Sequence, residues 1–186
     1  MKQRIVILSL TISLMTLMSA CQEGGSYGAG ATSTNASANS QAKAAATPTA
    51  DEIRAVLAAH DKALNDKNLD ALMATFSSDP STVVLGTGTE ERWKGPEEIR
   101  AAYTEIFQDY DPGTLVTDCT QWKTGGADEA GTMAWLAATC NCKDSLKGKS
   151  RDYKMNVSGT VEKQNNKWVF VSLHMSNAFE PPPVTK

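Results

Sequence analysis

The 186-residue sequence is poor in the residues that most metal and nucleotide sites require. It has two histidines and four cysteines, and it contains no CxxC, HExxH, GxGxxG or P-loop pattern. Zinc, dinucleotide and nucleoside-triphosphate sites therefore lack sequence support, and we expect no metal and no cofactor. Aromatic residues make up 6% of the chain, while 41% is hydrophobic and 21% is charged. This balance is typical of an ordinary globular domain.

Positive charge is scarce once the N-terminus is set apart. Lys2 and Arg4 precede an apolar run, Ile5 to Met18, which is short for a membrane span and ends at two small residues. This layout predicts a signal peptide over residues 1–20. Without its two cations the chain has 16 basic and 21 acidic residues, a net charge of −5. Nucleic acid is therefore not an expected partner.

Cys21 follows the apolar run directly. The segment Leu17 to Cys21 resembles the lipobox of bacterial lipoproteins, which implies that Cys21 carries a lipid and that the membrane is a partner. An ordinary secretory signal followed by an unmodified cysteine is the alternative. Gln22 resembles the sorting pattern for the outer membrane. We therefore expect a lipid-anchored protein of the bacterial cell envelope, in the outer membrane where the organism has one.

The segments on either side of the central domain contain few residues that could form a core. Residues 21–50 comprise Cys21 and a stretch of mostly Gly, Ala, Ser, Thr and Asn, which predicts a flexible tether. Residues 179–186 include three consecutive prolines and predict an extended tail. A folded domain over residues 51–178 remains.

Hydrophobic periodicity predicts three helices followed by a sheet. Thr49 and Glu52 form a capping box ahead of a first helix that places His60 on its inner face. A short second helix, a small hairpin and a third helix that begins near Gly95 follow. Four extended runs then predict an antiparallel meander: Leu115 to Lys123, Met133 to Cys142, Tyr153 to Lys163 and Lys167 to Ser176.

The last of these strands is expected to need cover on both faces. Trp168, Phe170 and His174 alternate with a row of aliphatic residues, so a period of two places them together on the outer face. Three helices cover only one face of such a sheet. We therefore expect Trp168, Phe170 and His174 to pair with a second copy in a homodimer.

The order of these elements resembles the SnoaL-like branch of the nuclear transport factor 2-like superfamily. Leu69 to Leu72 and Trp93 to Ile99 resemble segments of that branch. Lys167 to Ser176 is similar to the last strand of the calcium/calmodulin-dependent protein kinase II association domain. The resemblance covers residues 51 to 178. It implies an α+β cone in which three N-terminal helices pack on a curved, mostly antiparallel sheet, with function residing inside the cone.

Comparison with these relatives disfavours two activities. The arginines that line the kinase association domain match Cys140, Gly159 and Met175 here, so we expect no anion site. The proton-abstracting aspartate of the steroid isomerases of this fold matches Val84, whose side chain cannot act as a base.

The remaining inward side chains predict a mostly apolar pocket that binds a small apolar ligand. The predicted lining is His60, Trp93, Tyr103, Phe107, Leu136, Ala138, Cys140, Met155, Val157, Val171, Leu173 and Met175. We favour a ligand-binding or interaction module over an enzyme. The alternative is a cofactor-independent hydrolase, isomerase or dehydratase in which His60 acts with Asp118 or Tyr103 as general acid or base.

Three cysteines lie in the predicted sheet, and an exported domain usually oxidises neighbouring thiols. Cys140 and Cys142 share one face of a strand at positions i and i+2, which disfavours a bond between them. Cys119 lies on the adjacent strand. We expect a disulfide from Cys119 to either Cys140 or Cys142, with the other thiol left free.

Overall fold

The computed structural model describes residues 47–179. The expected signal peptide, the lipid on Cys21, the tether up to residue 46 and the tail from residue 180 lie outside the described residues. None of the helices in the described part of the chain has the length and apolar character needed to span a membrane.

Three helices form one layer of the domain: α1 (Ala50–Asn65), α2 (Leu69–Met73) and α3 (Gly95–Asp109). The predicted capping box opens α1. The Thr49 side chain accepts the backbone N–H of Glu52, and the Glu52 carboxylate accepts the backbone N–H of Thr49. Pro at the start of α3 and two glutamates in its first turn suit the free N–H groups and the positive dipole end there.

Six strands form a single sheet in the order β2-β1-β6-β5-β4-β3. The strands are β1 (Val83–Leu85), β2 (Arg92–Lys94), β3 (Val116–Gly126), β4 (Met133–Leu146), β5 (Lys149–Gln164) and β6 (Lys167–Asn177). Among the six strands of residues 47–179, only β1 and β6 run parallel to each other; the other neighbours are antiparallel. The predicted α+β fold, three helices on a mostly antiparallel sheet, is confirmed.

Strands β4 and β5 are longer than the sequence pattern predicts. The predicted runs end at Cys142 and restart at Tyr153, but pairing continues to Leu146 and Lys149. The turn between them places Lys147 and Gly148 at positive φ, a geometry that two-residue hairpins favour. The end of α3 reaches this turn, where the backbone N–H of Lys147 donates to the backbone oxygen of Asp109 and Tyr110 pairs with Leu146.

The core lies between the helices and the inner face of the sheet. Its members include Ile53, Val56, Leu57, Leu72, Phe76, Val84, Ile99, Tyr103, Phe170 and several inward residues of the strands. Five residues predicted to line a pocket are buried in this core instead: Leu136, Ala138, Cys140, Val157 and Leu173, each 7% exposed or less. The middle of the cone is therefore filled, because helix side chains pack directly on this row.

A disulfide joins Cys119 of β3 to Cys140 of β4. Strand register decides between the two pairings that the sequence leaves open. Cys119 lies directly opposite Cys140, whereas Thr117 lies opposite Cys142. The thiol of Cys142 is free and buried.

A β-bulge in β6 decides which face Phe170 occupies. Thr160 of β5 pairs with Ser172, but the next residue, Val161, pairs with Phe170. Val171 is therefore an extra residue in β6, and the alternation of faces reverses on its N-terminal side. Phe170 consequently lies on the inner face, is fully buried and packs its ring against those of His60 and Phe76.

Because of this bulge, Trp168 and Phe170 do not form an exposed face with His174 as predicted. Phe170 belongs to the core, and Trp168 is half-buried with its side chain packed against the core. Of the three predicted residues, only His174 is exposed. The residues predicted to form the homodimer interface are therefore not exposed together. The homodimer itself stays a prediction.

Substitutions in β6 test the position of the bulge. Phe170→Ala should lower the free energy of unfolding by about 3–5 kcal/mol, because it removes a buried aromatic ring from the core. His174→Ala, on the exposed face of the same strand, should change it by about 0.5 kcal/mol or less. Denaturant titration of both variants measures the difference. A small loss for Phe170→Ala would contradict the register described above.

Candidate functional site

A cavity of about 670 Å³ opens at the end of the sheet where β4 turns into β5. It is bordered by α1, α3, the loop between β1 and β2, and the ends of β3 to β6. Its apolar wall consists of Leu64, Trp93, Ile106, Leu115, Leu146, Met155 and Met175. The volume and the mainly apolar wall are those of a small-molecule site.

Five of the predicted lining residues border this cavity: His60, Trp93, Tyr103, Met155 and Met175. The other seven do not border it: Phe107, Leu136, Ala138, Cys140, Val157, Val171 and Leu173. Cys140 is held in the disulfide, Phe107 packs against the core, and Val171 is the bulge residue. The predicted pocket lies too far toward the middle of the strands, where the core leaves no space.

His60 is a buried polar residue on the inner face of α1, with 2% of its surface exposed. Its Nε2 lies 2.8 Å from the Tyr103 hydroxyl, and its Nδ1 lies 3.0 Å from Oδ1 of Asp61. A carboxylate can only accept a hydrogen bond. In the neutral imidazole, Nδ1 therefore carries the proton and donates a hydrogen bond to Asp61. The Tyr103 hydroxyl then donates to Nε2. This network fixes the tautomer and the orientation of the ring.

Tyr103 presents a neutral phenol beside His60. Burial, together with the negative charge of Asp61, raises the pKa of Tyr103 above its ordinary range. The hydroxyl therefore remains protonated at neutral pH and is available as a hydrogen-bond donor.

Asp118, the other predicted partner of His60, does not reach it. Asp118 is exposed on β3, and its neighbour Cys119 faces the opposite strand through the disulfide. Since successive residues of a strand point to opposite faces, Asp118 lies on the outer side of the sheet. The prediction that Asp118 acts with His60 is wrong, and Tyr103 and Asp61 occupy that position.

A second polar group at the cavity was missed by the sequence analysis. The buried carboxylate of Asp144 accepts two bonds from Arg151, at 2.6 Å from Nε and 2.5 Å from Nη2. It also accepts the Tyr153 hydroxyl at 2.9 Å. Burial and the charge of Asp144 raise the pKa of Tyr153. Two parallel bonds to a guanidinium are a strong and directional pairing.

The strand alternation contained a signal for this group. Cys140 and Cys142 face inward, so the same period of two places Asp144 inward if β4 continues. Arg151 and Tyr153 follow from Met155 in the same way on β5. The charged residues around the turn are also typical of a solvated loop. The sequence pattern therefore predicts strands that are shorter than β4 and β5.

Tyr110 and Cys142 complete the lining. The Cys142 thiol donates to the backbone oxygen of Cys140 at 3.9 Å. The Tyr110 hydroxyl is buried; Thr114 lies close enough to lower its pKa, but within residues 47–179 no group makes a hydrogen bond of ordinary geometry with it. Burial is the main cause that raises the pKa of Tyr110 to about 12 and that of Cys142 to about 11. Both groups are therefore neutral at physiological pH.

The sequence of the domain matches a known family. The family described as SnoaL-like domain matches residues 53–180. No curated protein matches the chain.

Solved structures share the fold at low sequence identity. An NTF2-like protein of unknown function from Pseudomonas putida is 17% identical, with 70% of this chain and 87% of that chain covered and a TM-score of 0.56. A candidate dehydratase of the NTF2-like family from Streptomyces avermitilis is 12% identical, with 70% and 96% covered and a TM-score of 0.61. A candidate calcium/calmodulin-dependent protein kinase II association domain from Xanthomonas campestris is 20% identical, with 74% and 96% covered and a TM-score of 0.61. These similarities establish the NTF2-like fold.

The environment of Cys142 predicts an unreactive thiol. With a pKa of about 11, only about one molecule in a thousand is a thiolate at pH 8, and the thiolate is the reactive form. In a Cys21→Ser chain, iodoacetamide should therefore label Cys142 slowly at pH 8, faster as the pH rises, and fully in denaturant. Peptide mass spectrometry follows the labelling. Rapid labelling of the folded protein at pH 7 would contradict the described burial.

Proposed function

This chain belongs to the SnoaL-like domain family, and we propose that it is a lipid-anchored cell-envelope protein whose cavity binds a small molecule. The observation that carries the proposal is the 670 Å³ cavity, which has a mostly apolar wall and polar groups at defined places. Small-molecule sites span roughly 300–1,000 Å³ and combine the same two features.

The two polar groups specify what kind of molecule fits. His60 and Tyr103 lie on the helix side of the cavity, and Asp144 with Arg151 lies on the sheet side. His60, Tyr103 and Asp144 are paired within the protein, but the Arg151 side chain is 43% exposed and keeps donors that Asp144 does not use. A wholly apolar ligand would desolvate those donors without replacing their hydrogen bonds. The ligand therefore has an apolar body and at least one hydrogen-bonding group, which refines the apolar ligand expected from the sequence.

The anchoring part of the proposal is supported by the sequence alone. The lipobox resemblance at Leu17 to Cys21 supports acylation of Cys21, and Gln22 supports an outer-membrane destination.

Native mass spectrometry of the exported chain tests ligand binding. A Cys21→Ser chain avoids the lipid, and we expect it to carry a compound at one copy per domain that denaturation releases. Met175→Trp should lower the occupancy of this adduct, because the larger side chain narrows the cavity at β6. Met133→Trp is the matched control, since Met133 begins β4 and does not border the cavity.

Two results of this experiment would contradict ligand binding in the cavity. If the parent chain carries no adduct, the proposal that the cavity binds a ligand is contradicted. If folded Met175→Trp carries the adduct at the same occupancy as the parent chain, the ligand binds elsewhere. Circular dichroism of both variants verifies that they are folded.

An enzyme is the second candidate, and the His60–Tyr103 contact of 2.8 Å favours it. Asp61 fixes the proton on Nδ1, which leaves Nε2 as a base, and Tyr103 is a neutral acid beside it. This pair could serve a hydrolase, an isomerase or a dehydratase that needs no cofactor. Both ring nitrogens already have protein partners, which is why we place binding first.

Turnover of the released compound separates the two candidates. The parent chain is incubated with it, and products are measured by liquid chromatography with mass spectrometry. For an enzyme, His60→Gln and Tyr103→Phe should each lower turnover about 100-fold or more while the adduct persists. Asp118→Asn, on the outer face, is the control and should have no effect. Absence of any product from the parent chain would exclude the enzyme.

A further inference from the structure

The wall of the cavity is acidic. It contains the carboxylates of Asp61, Glu91, Glu105, Asp109 and Asp144 and a single guanidinium, that of Arg151. Arg151 is held by Asp144, and Asp109 pairs with Lys147 at 2.7 Å. Of the three remaining carboxylates, Asp61 accepts a hydrogen bond from Nδ1 of His60, Glu91 accepts the backbone N–H of Gly88, and Glu105 is exposed. The cavity therefore has an excess of negative charge.

The charge of Asp61 acts on the interior of the cavity. Its side chain is 23% exposed, and its carboxylate contributes, after burial, to the raised pKa of Tyr103 and of Cys142. A cleft with low-dielectric walls and one sign of charge concentrates the electric potential inside it. An anionic ligand would meet this potential as repulsion, and a cation would meet it as attraction.

An unpartnered buried hydroxyl independently indicates that a ligand group belongs here. Tyr110 is 3% exposed and borders the cavity; Thr114 lies close enough to lower the pKa of Tyr110, but within the described residues no group makes a hydrogen bond of ordinary geometry with its hydroxyl. A buried phenol without a partner is costly. Its oxygen can accept an N–H group as well as donate a proton. Trp93 and Tyr153 also border the cavity, and the Tyr153 ring already has the guanidinium of Arg151 over it at 5.1 Å.

We propose that the ligand is an organic amine, an apolar body that carries a protonated amino group. The ammonium group would donate to the remaining lone pairs of the Asp61 and Glu91 carboxylates and to the Tyr110 oxygen, and the body would pack on the apolar wall. The inference rests on the proposed function, since it specifies the class of molecule that the same cavity binds.

Three probes that share one apolar body test the charge preference. Tryptamine is a cation at pH 7, tryptophol is its neutral alcohol and indole-3-acetate is an anion. Isothermal titration calorimetry at low salt should give affinities in that order. We expect tryptamine to bind about tenfold or more tightly than indole-3-acetate, because the two differ in the sign of the charge placed in the same field.

Removal of the carboxylates identifies their role. The double variant Asp61→Asn, Glu91→Gln should weaken tryptamine binding about tenfold and leave tryptophol binding within about twofold. Glu90→Gln is the matched control. Glu90 lies in the same exposed loop as Glu91 and its loss changes the net charge by one, but it does not border the cavity. It should leave the affinity for tryptamine unchanged.

The outcomes distinguish this inference from the proposed function. Equal affinity for tryptamine and tryptophol, tightest binding of indole-3-acetate, or an equal loss in the Glu90→Gln control would overturn the amine preference and leave cavity binding intact. Binding of none of the three probes would also overturn it. That result together with an empty parent chain in native mass spectrometry would overturn the proposed function as well.

Discussion

The long antiparallel pairing of β4 with β5 determines where this domain has a packed core and where it has a cavity. Pairing runs without a break from Met133 and Glu162 to Leu146 and Lys149. In the middle of both strands, inward aliphatic residues meet the helices and close the core. Toward the turn, inward residues of both strands border the cavity together with Leu64 of α1 and Ile106 of α3. Asp144 and Arg151 lie on this extension, so the same pairing that builds the core also supplies one polar wall of the site.

Most of the fold could be predicted from the sequence because its signals are local and agree with one another. The capping box at Thr49, the helical period of α1 and the family resemblance all indicate the observed elements. The bulge at Val171 could not be predicted, because Val169, Phe170 and Val171 are all apolar and the pattern does not show an inserted residue. The prediction of the cavity was partly wrong for a related reason: an ion pair between a buried Asp144 and a half-exposed Arg151 at a strand end has the same sequence pattern as a solvated turn. Only pairing across strands distinguishes the two.

His60 joins the core to the cavity. Its ring packs edge-on against Phe76 and Phe170, while its two nitrogens face Tyr103 and Asp61. A hydrogen-bonded histidine of this kind serves stability and orientation even without chemistry, so its presence alone does not make an enzyme. The hydrogen-bonded His60 does provide a polar group of fixed orientation beside the apolar wall. That arrangement is what a binding site needs to select one orientation of its ligand.

The central claim is that ligands enter the end of the cone near the β4–β5 turn and leave the core undisturbed. Methyl NMR of a Cys21→Ser chain with labelled methionines tests it directly, because Met155 and Met175 border the cavity while Met73 and Met133 do not. The compound released from the purified chain is added back to ligand-free protein. The account predicts shifts of the Met155 and Met175 signals with those of Met73 and Met133 unchanged. Shifts confined to Met73 or Met133 would contradict it.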